Sequence, residues 1–228
     1  MFETTSVKAL LIRPNFARPQ LARDIRRLER DILRMGALVE KSFRLSHQAL
    51  FAPDLSVAEQ LPLLDRKIDR YYREIESECT AIMTLHSPTE QDLRCLSAFM
   101  QLVRDLERIG DYAEDLSEIA VKIFPYEPHS CMPEIAVMSR HAQAMLATSL
   151  GALADLDEVG AKSIKSLDDA VDEAYEKVYD ILANQKNVQG SVEPIVLLAL
   201  AIRCLERMAD HATNIGERVA YIVTGQRS

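Results

Sequence analysis

Apolar residues recur along most of the chain at the three- and four-residue spacing of helices that bury one face. Leu21, Ile25, Leu28, Ile32, Met35, Val39, Phe43 and Leu50 form one such stripe, which Pro53 ends. The spacing predicts a long first helix from Leu21. Residues 1–20 have no helical period and contain Pro14 and Pro19, so they read as a flexible N-terminal arm. A second helix is predicted to open at Ser56, with Glu59 completing a capping box. Pro62 would then remove a backbone bond and kink the first turns, so the regular part begins near Leu63. Leu64, Ile68, Tyr71, Tyr72, Ile75, Cys79 and Ile82 carry its apolar face to Leu85. Ser87-Pro88-Thr89-Glu90 reads as the start of a third helix, with Ser87 as cap and Pro88 at the first helical position. Leu96, Phe99, Val103, Leu106, Ala113, Leu116, Ala120 and Ile123 continue it to Phe124.

Pro125 to Ser130 breaks the pattern, and Met132-Pro133 restarts it. An offset of 103 then lays residues 135–178 on residues 32–75 without a gap, matching Ile32 with Ile135, Met35 with Met138 and Leu50 with Leu153. The last helix, from Ser191–Pro194, repeats the third at an offset of 99, and the difference falls in a loop, where length changes cost little. The prediction is an all-α protein of two tandem three-helix bundles, residues 21–125 and 132–225. Helices of ~25–35 residues would be ~40–50 Å long and make the six-helix molecule elongated.

Composition agrees: 48% hydrophobic residues suffice for a core, while seven Gly, no Trp and 6% aromatics favour helix over sheet. The longest apolar run, Ile195–Ile202, is far short of the ~20 residues that span a bilayer. The N-terminal stretch lacks the pattern of a secretory signal. Cys79, Cys95, Cys131 and Cys204 have no C-x-x-C spacing and read as reduced core thiols, so a cytoplasmic protein is expected. Residues 1–44 hold ten Lys/Arg against five Asp/Glu, a balance of +5 that leaves −13 for the remainder of a total of −8. Such an acidic body argues against a nucleic-acid surface. The arginine-rich start, with Arg13, Arg18, Arg23, Arg26, Arg27, Arg30 and Arg34, suits an acidic partner or anionic lipid headgroups, a solvated helix face being the plainer reading.

The candidate chemistry lies in carboxylates repeated in register. Leu106-Glu107-Arg108-Ile109-Gly110-Asp111 returns as Leu205-Glu206-Arg207-Met208-Ala209-Asp210, and Asp65-x-x-x-Asp69 returns as Asp168-x-x-x-Asp172. At i,i+4 each pair shares one helical face. If a second-helix pair met a third-helix pair, each close carboxylate contact would cost ~3–4 kcal/mol at an effective dielectric of ~20. A bound cation would relieve this, and all-oxygen ligands suit hard ions such as Mg²⁺, Mn²⁺, Ca²⁺ or iron. The alternative is a surface ion-pair lattice in which Arg104, Arg108, Arg203 and Arg207 neutralise the acids. Spacing alone leaves both open. No Glu-x-x-His of a di-iron bundle occurs, and His211, whose counterpart is Tyr112, reads as a surface histidine. Tyr72 and Tyr175 read as core packing. No glycine-rich phosphate loop, G-x-S-x-G elbow or Cys-His dyad at a known spacing is present.

At Asp92-Leu93-Arg94, at both Glu-Arg-x-x-Asp motifs and at the Asp-x-x-x-Asp pairs, the chain resembles the PhoU family of phosphate-signalling proteins over residues 21–224. The resemblance implies two packed three-helix bundles whose acidic motifs hold metal ions. The first site would use Asp65, Asp69, Glu107 and Asp111, and the second Asp168, Asp172, Glu206 and Asp210. The cofactor would be a divalent or ferric ion, one of Mg, Mn, Fe or Zn. The resemblance also implies a non-catalytic negative regulator of phosphate uptake and of the phosphate-starvation response. It would act as a homodimeric cytoplasmic adaptor between the ATPase of the phosphate ABC transporter and a membrane sensor histidine kinase, meeting the inner membrane face only through those partners. The competing expectation is a carboxylate-bridged metalloenzyme or metal-storage bundle, which would need an open coordination position and an acid–base group beside it.

Overall fold

A computed structural model of the chain describes residues 19–52, 55–186 and 190–226, and these form six α-helices with one short 3₁₀ segment. Helix α1 spans Pro19–Phe51 and buries the predicted stripe from Leu21 to Leu50. The arm predicted for residues 1–20 lies outside the described residues except for Pro19 and Gln20, which are helical; the predicted stop at Pro53 also lies outside them. The opposite face of α1 exposes Arg23, Arg26, Arg27, Arg30, Arg34, Lys41 and Arg44.

The start of the second helix differs from expectation. Leu55–Gln60 form a 3₁₀ helix that buries Val57 and Ala58, and α2 then spans Leu61–Leu85. Ser56 and Glu59 belong to the 3₁₀ segment, and Pro62 falls in the first turn of α2, where a missing N–H costs no intrahelical bond. Helix α3, Glu90–Ile123, is capped by Thr89 and not by Ser87. Asp92 N–H donates to Thr89 Oγ1 at 3.3 Å, and Thr89 N–H donates to Asp92 Oδ2 at 2.8 Å. Thr89-x-x-Asp92 closes a complete reciprocal box two residues beyond Ser87, and Thr89 Oγ1 also lies 2.7 Å from Asp92 Oδ2.

The second bundle comprises α4 (Met132–Asp155), α5 (Glu158–Ala183) and α6 (Glu193–Thr224). Asp157 caps α5 by accepting from Val159 N–H at 3.2 Å, and Gly225, at φ 75°, closes α6 in the left-handed conformation glycine tolerates. Pro133 and Pro194 sit in the first turns of α4 and α6, as predicted.

Helices α1–α3 pack together, as do α4–α6, and the bundles join along α3 with α6 and α1 with α4. One hydrophobic cluster runs through both repeats, with Phe43, Phe99 and Leu106 fully buried in it. The α1–α4 seam obeys the repeat: Gly36 faces Leu150, where a Cβ would lie 2.5 Å from Leu150 Cδ2, and His47 Nδ1 lies 2.9 Å from Ser139 Oγ. Positions 36 and 139, and 47 and 150, are counterparts at the offset of 103, so an approximate two-fold relates the halves. Among the described residues no helix is long and apolar enough to cross a membrane.

Candidate functional site

Two seams carry the repeated acids. Asp65 and Asp69 on α2 face Glu107 and Asp111 on α3, because their apolar neighbours Leu64, Ile68, Leu106 and Ile109 turn into the core and draw the helices together. Gly110 sets the approach: a Cβ there would stand 3.2 Å from Ile68 Cδ1. Burial raises the Asp65 carboxyl above the ordinary range, and Asp69 and Glu107 push it further. Burial and then Asp111 raise Glu107 against the pull of Arg108. Asp111 is raised by burial, with Arg108 opposing and Asp65 and Asp69 adding. Asp65 Oδ1 is buried without a hydrogen-bond partner.

The second seam repeats this between α5 and α6. Burial, Asp172 and Asp210 raise Asp168, while the nearby Thr213 hydroxyl works the other way, although its geometry falls short of a hydrogen bond. Asp172 is raised by burial and Asp210. Glu206 is raised by burial and Asp210 against Arg203 and Arg207. All eight predicted acids therefore fall into two groups of four, one in each bundle.

The first group has a fifth member that the repeat concealed. Glu114 is raised by burial and then by Asp65, but its counterpart at the offset of 99 is Thr213, so matching the two copies removes it from view. Its place three residues past Asp111, and so on the same face of α3 as Glu107 and Asp111, is the sequence signal for it.

Arginines answer part of the charge. Arg108 Nη1 lies 3.0 Å from Asp111 and its Nε 3.6 Å from Glu107, while Arg73 lies 3.4 Å from Asp69. Arg203 Nη1 donates to both Glu206 oxygens at 2.9 Å, and Arg207 Nη1 lies 3.1 Å from Asp210. No three His, Cys, Asp or Glu side chains among the described residues converge closely enough to hold an ion. The donor sets nevertheless fit a hard cation. They are all oxygen, one buried oxygen is orphaned, and the carboxyls are raised by burial and by one another, with the neighbouring arginines only partly offsetting this.

His211 is not on the surface. Its Nδ1 lies 2.8 Å from Oδ1 of Asp105, a buried carboxylate that also accepts from Asn214 Nδ2 at 3.2 Å, and its ring stacks on Tyr112 at 6.0 Å. An ionised carboxylate only accepts, so the proton sits on Nδ1. The cluster joins α3 to α6, and its counterpart positions are Cys204, Tyr112 and Asp115, so the polar linkage exists in one sense only. Tyr72 and Tyr175 pack against the core as expected. The four cysteines are free and buried, and burial pushes the Cys79, Cys95 and Cys204 thiols up to about 12.

A family model described as the PhoU domain matches residues 32–120 and again 135–219. A relative from Synechocystis sp., the phosphate-specific transport system accessory protein PhoU homolog, is 59% identical over 203 residues, 89% of this chain and 91% of its own. The crystal structure of PhoU from Pseudomonas aeruginosa matches with a TM-score of 0.88 at 31% identity, covering 91% of this chain and 100% of that one. The phosphate transport system regulatory protein PhoU from Streptococcus pneumoniae matches with a TM-score of 0.84 at 27% identity, over 92% and 99% of the two chains.

Proposed function

The chain belongs to the PhoU domain family, and we propose that it is a non-catalytic regulator of phosphate transport that holds metal ions in its two carboxylate seams. The observation that carries the regulatory part is its likeness, over nearly its whole length, to a protein named as an accessory of the phosphate-specific transport system. On this reading the protein damps phosphate uptake and the starvation response. It works in the cytoplasm as a homodimeric adaptor for the transporter's ATPase and a sensor histidine kinase.

The metal part rests on the raised carboxyls and the orphaned Asp65 oxygen. Asp65, Asp69, Glu107 and Asp111, with Glu114 beside them, would hold a cation in the first bundle, and Asp168, Asp172, Glu206 and Asp210 in the second. A bound cation supplies the positive charge that the arginines leave short. The protein's own part is to keep two acids of each neighbouring helix on one face, so that loading braces α2 on α3 and α5 on α6. A non-catalytic role suits the buried thiols, whose raised pKa leaves them protonated and poor nucleophiles at neutral pH.

Metal content and melting temperature of the purified protein, beside a Glu107→Gln/Asp111→Asn/Glu206→Gln/Asp210→Asn variant, test the sites. Wild type should carry stoichiometric metal that the variant lacks, and added Mg²⁺ or Mn²⁺ should raise only the wild-type melting temperature. Equal behaviour of the two would leave an ion-pair lattice and end the metal reading. The regulatory part is tested in cells deleted for the protein, which should express phosphate-starvation genes in phosphate-rich medium. Normal repression there would overturn it.

A further inference from the structure

The outward face of α1 carries a charge pattern that neither the carboxylate seams nor their ions require. Counted at 100° per residue, all seven basic residues of α1 fall within roughly 60° of one line along the helix. Its four acids, Asp24, Glu29, Asp31 and Glu40, stand about 80° or more from that line, on the flanks toward α2 and α4. Arg27 and Arg34 are drawn to flanking acids, Glu78 and Asp31. Arg26, Arg30, Lys41 and Arg44 are exposed and form no ion pair among the described residues. The arc runs from Arg23 to Arg44, 22 residues of α1, which at 1.5 Å per residue is about 32 Å.

We propose that this face adsorbs directly onto an anionic lipid bilayer. Charge complementarity selects the class of partner, since the arc is cationic on a chain whose net charge is −8. Two features select a lipid surface over an acidic protein. Stable protein interfaces rest on a few exposed apolar or aromatic anchors, and among the described residues none of the exposed large hydrophobics belongs to α1. The sequence leading into α1 also joins Lys8, Arg13 and Arg18 to the apolar Ala9–Ile12 and to Phe16, the mixture of basic and apolar residues that adds to adsorption on anionic membranes. The core of α1 lies on the opposite side of the helix, so adsorption leaves α3, α6 and the carboxylate seams turned away from the bilayer. This surface lies outside the regulatory reading and does not depend on it.

The test is sedimentation of the full chain with large vesicles of phosphatidylcholine alone or with about one-third phosphatidylglycerol, at 50 and 300 mM salt. Binding should require the anionic lipid and weaken sharply with salt. An Arg26→Gln/Arg30→Gln/Lys41→Gln/Arg44→Gln variant should bind roughly fivefold more weakly per charge removed, or several-hundred-fold in all, since each basic residue near such a surface contributes about 1 kcal/mol. A control of equal charge change, Lys122→Gln/Lys165→Gln/Lys177→Gln/Lys186→Gln, should bind as wild type, with circular dichroism showing that both variants fold. The proposal falls if anionic vesicles fail to bind the protein at 50 mM salt, or if the control loses as much binding as the α1 variant. It falls equally if only a Lys8→Gln/Arg13→Gln/Arg18→Gln variant loses binding, which would place adsorption in residues 1–18.

Discussion

Asp65, Glu107, Asp111, Asp168, Asp172 and Glu206 are all held above the ordinary carboxyl range, with burial the leading cause and neighbouring acids adding to it. Such groups bind a proton more readily in the folded chain than in the unfolded one. Their contribution to stability is therefore complete below the unfolded pKa of about 4, and is lost as pH rises through the raised folded value. At neutral pH and without metal these seams weaken the fold. Glu107→Gln is accordingly expected to melt a few degrees above wild type at pH 8 in chelator, with the gap closing toward pH 4. Melting curves across that range check it, and a Gln variant less stable than wild type at pH 8 would sink the claim. Asp105 is a buried carboxylate with its hydrogen-bond partners in place. His211→Ala leaves it short of its main partner and should cost ~2–3 kcal/mol, a fall of roughly 4–12 °C in Tm for a chain of this size. Adding Asp105→Asn should restore part of that loss, because the uncompensated charge goes with it. If the double variant melts no higher than His211→Ala, the charge is not what the histidine satisfies.

At the scale of elements, the apolar stripes of all six helices were legible because each helix buries one face, and a 3.6-residue period survives in sequence whatever it packs against. Local starts were less so. Ser87 and Thr89 both head capping boxes two residues apart, and sequence alone does not choose between them; the helix starts from Thr89. Helix separation is set by single positions that the two copies fill differently. The first repeat pairs Gly110 with Ile68, where the second has Ala209 and Val171, so one methyl group has changed sides. Gly110→Ala gains ~1 kcal/mol of helix propensity but crowds Ile68, and should be close to neutral. Ile68→Val alone should cost ~0.5–1.5 kcal/mol. The double variant copies the second repeat, and should exceed the sum of the two by ~0.5–1 kcal/mol in denaturant unfolding. Strict additivity would show that the two side chains do not share the space.

For the whole molecule, the internal repeat made the two bundles and both acidic groups readable before any coordinates, since equivalent residues must occupy equivalent places. It is silent where the copies diverge: Glu114 and His211 have unlike counterparts, Thr213 and Tyr112, so matching the two repeats draws neither into a site. How the halves join was not readable, because α3 and α6 are buried on more than one side and their periodicity cannot say which neighbour covers which face. The α3–α6 seam is at least as extensive as any contact within a bundle, and the hydrophobic cluster passes through it without a break. A bundle alone would expose that seam to water, so neither should be stable by itself. The intact protein is expected to unfold in one transition, with calorimetric and van't Hoff enthalpies in agreement. The decisive variant is His211→Ala, which alters the second repeat chemically and meets the first through Asp105 and Tyr112. If the repeats fold as one body, it shifts the entire transition downward and leaves its shape unchanged. A second transition appearing at lower temperature, with the remainder unmoved, would mean that the bundles are independent and that the buried Asp105–His211 contact merely docks them.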